Sequence, residues 1–139
     1  MGTTGNSDGT MKRQLLIIEK ENSLRTALVQ HLQQEGFLVS ETDREDQVVA
    51  LLSGAPIRLV LLSLQGFKRQ GIAMMRTIRQ AFPDVKIITI NSGDQLDLSI
   101  EGMRLGAFDD FLIPFDLDEL MICVRNAFAE PSRQLPTQE

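Results

Sequence analysis

Residues Arg58 to Ser63 read Arg-Leu-Val-Leu-Leu-Ser, an apolar run that is continuous instead of alternating. A strand covered on one face alternates apolar and polar side chains, whereas a strand buried on both faces must be apolar throughout. The run therefore predicts a central strand of a parallel sheet with helices on both sides. In such sheets reactive groups lie just beyond the carboxyl ends of the strands. Ser63 stands at that end, followed by Leu64, Gln65, Gly66, Phe67 and then Gly71.

The rest of the chain supplies the partners such a strand needs. Leu15-Leu16-Ile17-Ile18, Phe37 to Ser40, Ile87 to Ile90 and Phe111 to Ile113 are short apolar runs of strand type. Between them apolar residues recur at helical spacing. Leu24, Ala27, Leu28 and Leu32 run to a stop at Gly36, with Asn22 or Ser23 as the expected cap. Val48, Val49, Leu51 and Leu52 follow Thr42-Asp43-Arg44-Glu45, which has the form of a capping box. Ile72, Met75, Ile78 and Phe82 end at Pro83-Asp84, and Leu96, Ile100 and Met103 end at Gly106. Leu117, Leu120, Met121, Val124 and Phe128 follow a second box-like run, Asp116 to Glu119.

Five strands alternating with five helices through short loops imply an α/β fold, a doubly wound five-stranded parallel sheet in the order 2-1-3-4-5, flavodoxin-like. That order sets the ends of the first and third strands side by side, so Glu19, Lys20 and Ser63 are expected to meet. Residues 1–11 are expected to be a disordered leader because they hold almost nothing apolar. The domain is placed at 12–130, and 131–139 is expected to be a polar tail or linker.

Charge and composition exclude several classes. A net charge of -5 with no Lys/Arg cluster argues against direct nucleic-acid binding and against an anionic membrane surface. No apolar run is long enough to cross a bilayer and no export signal opens the chain, so a soluble, cytoplasmic protein is expected. Cys123 lies in an apolar helical pattern, which reads as a small core residue in a reducing compartment. His31 has no neighbouring His or Cys to share a metal, and Met74-Met75 reads as packing. No Gly-rich phosphate loop follows the first strand, and the chain has no Trp or Tyr to stack on a flavin or base. No cofactor and no metal are expected.

At this point the residues resemble the receiver domain of two-component response regulators over nearly all of Gln14 to Ala129. The likeness rests on Leu16-Ile17-Ile18 with Glu21, Arg58 to Leu62, Gly71 with Ile78-Arg79, Phe82-Pro83-Asp84, Gly106-Ala107, and Pro114-Phe115 with Leu117 and Leu120. The resemblance implies the (βα)5 receiver fold, of bacterial type and used in phosphorelay signal transduction. It also implies a fixed set of reactive positions: an acid pair, an aspartate phosphoacceptor, a hydroxyl and a lysine. In ungapped register these fall on Glu19 and Lys20, on Ser63, on Asn91, and on Ile113. Only Glu19 keeps the family's chemistry. The aromatic switch position falls on Asp110, or on Phe111 if the strand slips by one, and the cis Lys-Pro bond of the family would correspond to Ile113-Pro114.

Phosphoryl transfer is almost wholly positioning and charge neutralisation. A second acid replaced by Lys20 opposes a magnesium ion by about 1 to 4 kcal/mol, depending on the local dielectric. With nucleophile and lysine lost as well, the pattern implies a degenerate pseudo-receiver: no enzyme, no catalytic residue, a signalling module acting through protein contacts. Its expected partner is another protein or an output domain. A homodimer is expected through the fourth helix, the fifth strand and the fifth helix, with Leu98, Leu105 and Asp110 on the working surface. Two other readings stay open, a residual phosphoacceptor using Ser63 or a nearby acid, and a small-ligand site at the switch point. Lys20 also reads simply as a solvated loop lysine, and Ser63 as a strand-end hydroxyl bonding local backbone.

Overall fold

The computed structural model describes residues 13–131. The expected leader and most of the expected tail lie outside the described residues. Five strands, β1 (Gln14–Ile18), β2 (Leu38–Thr42), β3 (Leu59–Ser63), β4 (Lys86–Ser92) and β5 (Asp109–Ile113), form one parallel sheet in the order β2-β1-β3-β4-β5. The fold expectation is met. Six helices connect and flank them: α1 (Asn22–Gln34), α2 (Val48–Gly54), α3 (Leu64–Phe67), α4 (Arg69–Ala81), α5 (Leu96–Arg104) and α6 (Leu117–Ala129).

The burial of each strand follows its place in the sheet. All five residues of β3 are buried, as its unbroken apolar sequence requires, while the edge strands β2 and β5 are only partly covered. Side chains alternate between the faces. Leu16, Ile18, Val60, Leu62 and Ile87 join Leu64, Ile72, Met75, Ile78 and Leu98 in one core beneath α2, α4 and α5. Leu15, Ile17, Leu59, Leu61, Ile88 and Ile90 join Leu28, Leu32, Leu120 and Val124 in the other, beneath α1 and α6. Met74, Met75 and Cys123 are all buried, so each is packing, as expected.

Local signals were read correctly at some helix ends and not at others. Gly36 and Gly106 follow α1 and α5 at φ +96°, a conformation that favours glycine and ends a helix. Asp116 caps α6 by accepting from the Asp118 amide. The cap of α1 is Glu21, which accepts from the Leu24 amide at 2.7 Å, and not Asn22 or Ser23. Thr42 ends β2 and accepts from the Arg44 amide, closing a local turn. It heads no capping box, because a 3-10 turn at Glu45–Gln47 intervenes before α2. The peptide bond Ile113-Pro114 is cis, as the resemblance implied.

The main correction concerns α5. Leu96, Ile100 and Met103 were expected inside, yet they are exposed, while Leu98 is only 3% exposed. Leu98 and the half-buried Leu105 pack on the core and do not form a working surface. The cause is the small pair Ser99 and Gly102. A Cβ at Gly102 would lie 3.5 Å from Leu64, 3.6 Å from Met75 and 3.7 Å from Thr89, so the helix backbone approaches the sheet along that line. Ser99 accepts from the buried Asn91 amide at 3.0 Å. Together they turn the 98-102-105 stripe inward.

Three cations fasten neighbouring elements together. Lys86 Nζ, at the start of β4, donates to the carbonyls of Ala127 and Glu130, each at 2.5 Å, where the last orphan carbonyls of α6 favour positive charge. On α5, Glu101 accepts from Arg69 at 2.7 Å and Arg76 at 2.9 Å, tying α5 to α4. These guanidinium groups hold its carboxyl below the ordinary carboxylate range.

Candidate functional site

The carboxyl ends of β1, β3 and β4 bring three of the anticipated positions into the interior. Glu19 is 1% exposed, Ser63 1% and Asn91 0%. Each is held by local backbone. Glu19 Oε2 accepts from the Glu21 amide at 3.0 Å, whereas Oε1 is buried with no hydrogen-bond partner. Ser63 Oγ accepts from the Gly66 amide at 3.1 Å and so caps α3. Asn91 Nδ2 donates to the Gln95 carbonyl at 2.7 Å and to Ser99 Oγ, leaving Oδ1 unpartnered.

Gly66 is where the first two side chains converge. A Cβ there would lie 3.3 Å from Ser63 Oγ, 3.4 Å from Glu19 Oε2 and 3.5 Å from Lys20 Cβ. The α3 turn thus lies directly over the end of β3 and closes the space between them. Gly71 completes the seat, since a Cβ there would meet Leu64 Cδ2 at 2.7 Å and push Leu64 out of its socket. A serine followed by Leu-Gln-Gly-Phe does carry the signal for a one-turn helix with a hydroxyl cap.

Lys20 does not share the interior with Glu19. Its residue is exposed and its ammonium lies 4.8 Å from the centroid of the Phe67 ring, a cation–π contact. Only its Cβ reaches the meeting point. Ile113 packs on the α1/α6 core at the end of β5, with no charge to offer. Asp110 is half-buried and accepts a hydrogen bond from Thr89. β5 pairs in the register Thr89↔Asp110 and Ile90↔Phe111, which sets Asp110 beside Thr89 and packs Phe111 on the α1/α6 core.

One functional neighbour was missed in the sequence. Arg25 Nη1 donates to the carbonyl of Glu19 at 2.8 Å, Nη2 to Asn22 Oδ1 at 2.7 Å, and Nε to Glu41 at 3.0 Å. One guanidinium therefore fixes the β1–α1 turn that presents Glu19. Its place one turn after Glu21 was the available signal, but nothing in the sequence announced the carbonyl contact.

A parallel α/β sheet with its candidate site at the ends of β1, β3 and β4 defines a protein of the doubly wound, flavodoxin-like class. The sequence matches the response regulator receiver domain family over residues 15–125, and the chain belongs to that family. It is 28% identical over 115 residues to a putative response regulator NtrX-like of Rickettsia felis, covering 81% of this chain and 24% of that protein. It is 32% identical over 112 residues to the transcriptional regulatory protein DltR of Streptococcus agalactiae, covering 80% of this chain and 50% of that one. The chain thus spans about a quarter to a half of the length of these relatives. A response regulator from Thermotoga maritima superposes with a TM-score of 0.78 at 25% identity, covering 86% of this chain and 100% of that one. NtrX from Brucella abortus, crystallised with ADP, gives the same score at 23% identity, covering 86% and 26%, a likeness of fold.

The magnesium ion that receivers use does not fit the residues present. Glu19 is the one carboxylate at the meeting point, and one of its oxygens and the Ser63 hydroxyl already accept from backbone amides. Glu21, the next acid, is engaged in capping α1. Among the described residues no group of three or more His, Cys, Asp or Glu could hold a metal ion. A site for Mg²⁺ needs ligands free to complete an octahedron, commonly one or two carboxylates with waters and phosphate.

Proposed function

We propose that this receiver domain works without aspartyl phosphorylation, as a cytoplasmic signalling module that acts through protein contacts and is not itself a catalyst. The observation that carries the reading is Ser63. At the phosphoacceptor position it presents a buried hydroxyl that is committed as the cap of α3, next to the buried Glu19. A hydroxyl attacks phosphorus only with a base and charge neutralisation at hand. Here the position of the second acid is a lysine turned outward, and the position of the family lysine is Ile113. Intact-mass measurement after incubation with acetyl phosphate and magnesium tests the reading. The expected spectrum is unchanged; a stoichiometric gain of one phosphate would overturn it.

The contact face that best suits such a module is α5, β5 and α6, carried by residues other than those first expected. Leu96, Ile100 and Met103 on α5, Leu112 on β5 and Ile122 on α6 are the large apolar side chains left exposed there. Apolar residues gathered on one side mark a partner or a second copy more often than scattered ones do. A partner that suits this reading is an output domain, in keeping with the short share of each relative that the chain spans.

A further inference from the structure

Lys20, at which this chain departs from the receiver pattern, meets Phe67 in the cation–π pair, and that pair forms one wall of an open cleft. The cleft has a volume of about 640 Å³ and lies between the β2–α2 turn and α4. Its base is apolar, built from Phe67, Val48 and Met74, all buried, with Val49 half-exposed at the side. The α4 wall is formed by Gln70, Ala73, Met74 and Thr77, spaced as one helical stripe that runs about 10 Å along the axis. That wall carries no charge, and its middle residue is an alanine, which allows a backbone to approach.

The opposite rim is the run Asp43-Arg44-Glu45-Asp46. Arg44 is engaged by Asp46 at 2.8 Å, and Lys20 is engaged by the Phe67 ring. Asp43 and Glu45 are exposed, and neither forms a salt bridge or a side-chain hydrogen bond among the described residues. Asp43 also acts electrostatically on Arg44, but with three acids to one arginine the rim stays negative, so the cleft combines an apolar trough of two helical turns with an acidic edge. Helix-in-groove recognition needs these two features, a trough for the apolar stripe and charge of opposite sign for its flank.

We infer that this cleft is a docking site for an amphipathic helix of a partner protein, with its apolar stripe on Phe67, Met74 and Val49 and its Arg or Lys flank against Asp43 and Glu45. The inference rests on the reading of the domain as a contact module. It identifies a second surface, separate from the exposed apolar side chains of α5.

The probes are two helical peptides of roughly four turns with the same leucine and alanine stripe, one flanked by arginines and the other by glutamates. Each is titrated into the ¹⁵N-labelled full chain. The arginine peptide should saturably shift amides in 43–49 and 70–77, and bind at least about tenfold tighter than the glutamate peptide. Asp43→Lys with Glu45→Lys should reverse that order, and Ala73→Arg should abolish binding at an unchanged melting temperature. Equal binding of the two peptides, or no shift with either, would overturn the inference. Shifts confined to 96–104 and 109–113 would overturn it while leaving the contact reading intact. A phosphate found on the chain by mass would instead bring down that reading.

Discussion

The Thr89 hydroxyl donates a 2.6 Å hydrogen bond to Asp110 Oδ1 across the β4–β5 pair, joining a fully buried residue to the position at which receivers carry their aromatic switch. An aromatic ring at such a site can swing between buried and exposed rotamers. A carboxylate tied to a buried hydroxyl is held in one. The bond ties the Asp110 side chain on the edge strand β5 to the buried strand β4.

Thr89→Val keeps the shape of the side chain and removes the donor, leaving Asp110 without its partner. A lost hydrogen bond to a charged group costs about 1.5 to 3 kcal/mol, and the partial exposure of Asp110 places the effect near the lower end. Urea unfolding should show a loss of about 1 to 2 kcal/mol, part of which returns when Asp110→Ala is added. Equal midpoints for Thr89→Val and the parent would mean that the bond contributes nothing.

Magnesium binding should be recoverable only by rebuilding two acids. Ser63→Asp preserves the cap of α3, because aspartate caps as well as serine, but it faces Glu19 with Lys20 still next in the chain. Lys20→Asp combined with Ser63→Asp supplies three carboxylates around the Gly66 turn, with Lys20 Cβ already 3.5 Å from the space above Gly66. Amide shifts that respond to millimolar magnesium are expected in the double variant. The same response in Ser63→Asp alone would show that Lys20 is no obstacle.

Burial, reinforced by the neighbouring Asp109 carboxylate, pushes the Cys123 thiol up to about 12 from an ordinary 9.0. At pH 8 the thiolate fraction falls by about a thousandfold, so a disulfide reagent should react with the native protein far more slowly than with the unfolded chain. A raised thiol pKa stabilises the native state fully below the unfolded value and loses that contribution as pH climbs toward the folded one. Between pH 9 and 12 the parent should therefore lose stability relative to Cys123→Ala, by at most about 1.4 kcal/mol per pH unit. A constant difference between the two proteins across pH 8 to 10.5 would rule this out.

Where one physical signal dominated, the fold was legible in the sequence. β3 had to be central because no residue between Leu59 and Leu62 could face water, and the short loops fixed the parallel order. The candidate site was legible as positions but not as contacts. Glu19, Ser63 and Asn91 were placed at the strand ends correctly, yet the sequence could not show that Ser63 caps a helix or that Lys20 turns out onto Phe67. Arg25 escaped notice because the contact that fixes the turn is to the Glu19 backbone carbonyl, a group every residue has. Lys86 was hidden for the same reason, inside an apolar strand whose ammonium reaches the last carbonyls of α6.

The orientation of α5 shows a limit of periodicity and yields the sharpest test. Leu96, Ile100 and Met103 are spaced i, i+4, i+7, and so are Leu98, Gly102 and Leu105. Two stripes of equal spacing lie on opposite sides of one helix, and counting apolar residues selects the wrong one. The decision is made by Gly102 and Ser99, which let the backbone sit against Leu64 and Asn91. Leu98→Glu would bury an unpaired charge beneath α5 and should cost about 3 to 5 kcal/mol, enough to unfold a marginal domain. Ile100→Glu with Met103→Glu changes only exposed positions, so the midpoint of unfolding should move by no more than about 0.5 kcal/mol. The same pair should weaken self-association measured by sedimentation if the exposed stripe is the contact face. Unchanged sedimentation at full stability would remove α5 from that face, and a collapsed melting temperature would show that the stripe faces the core after all.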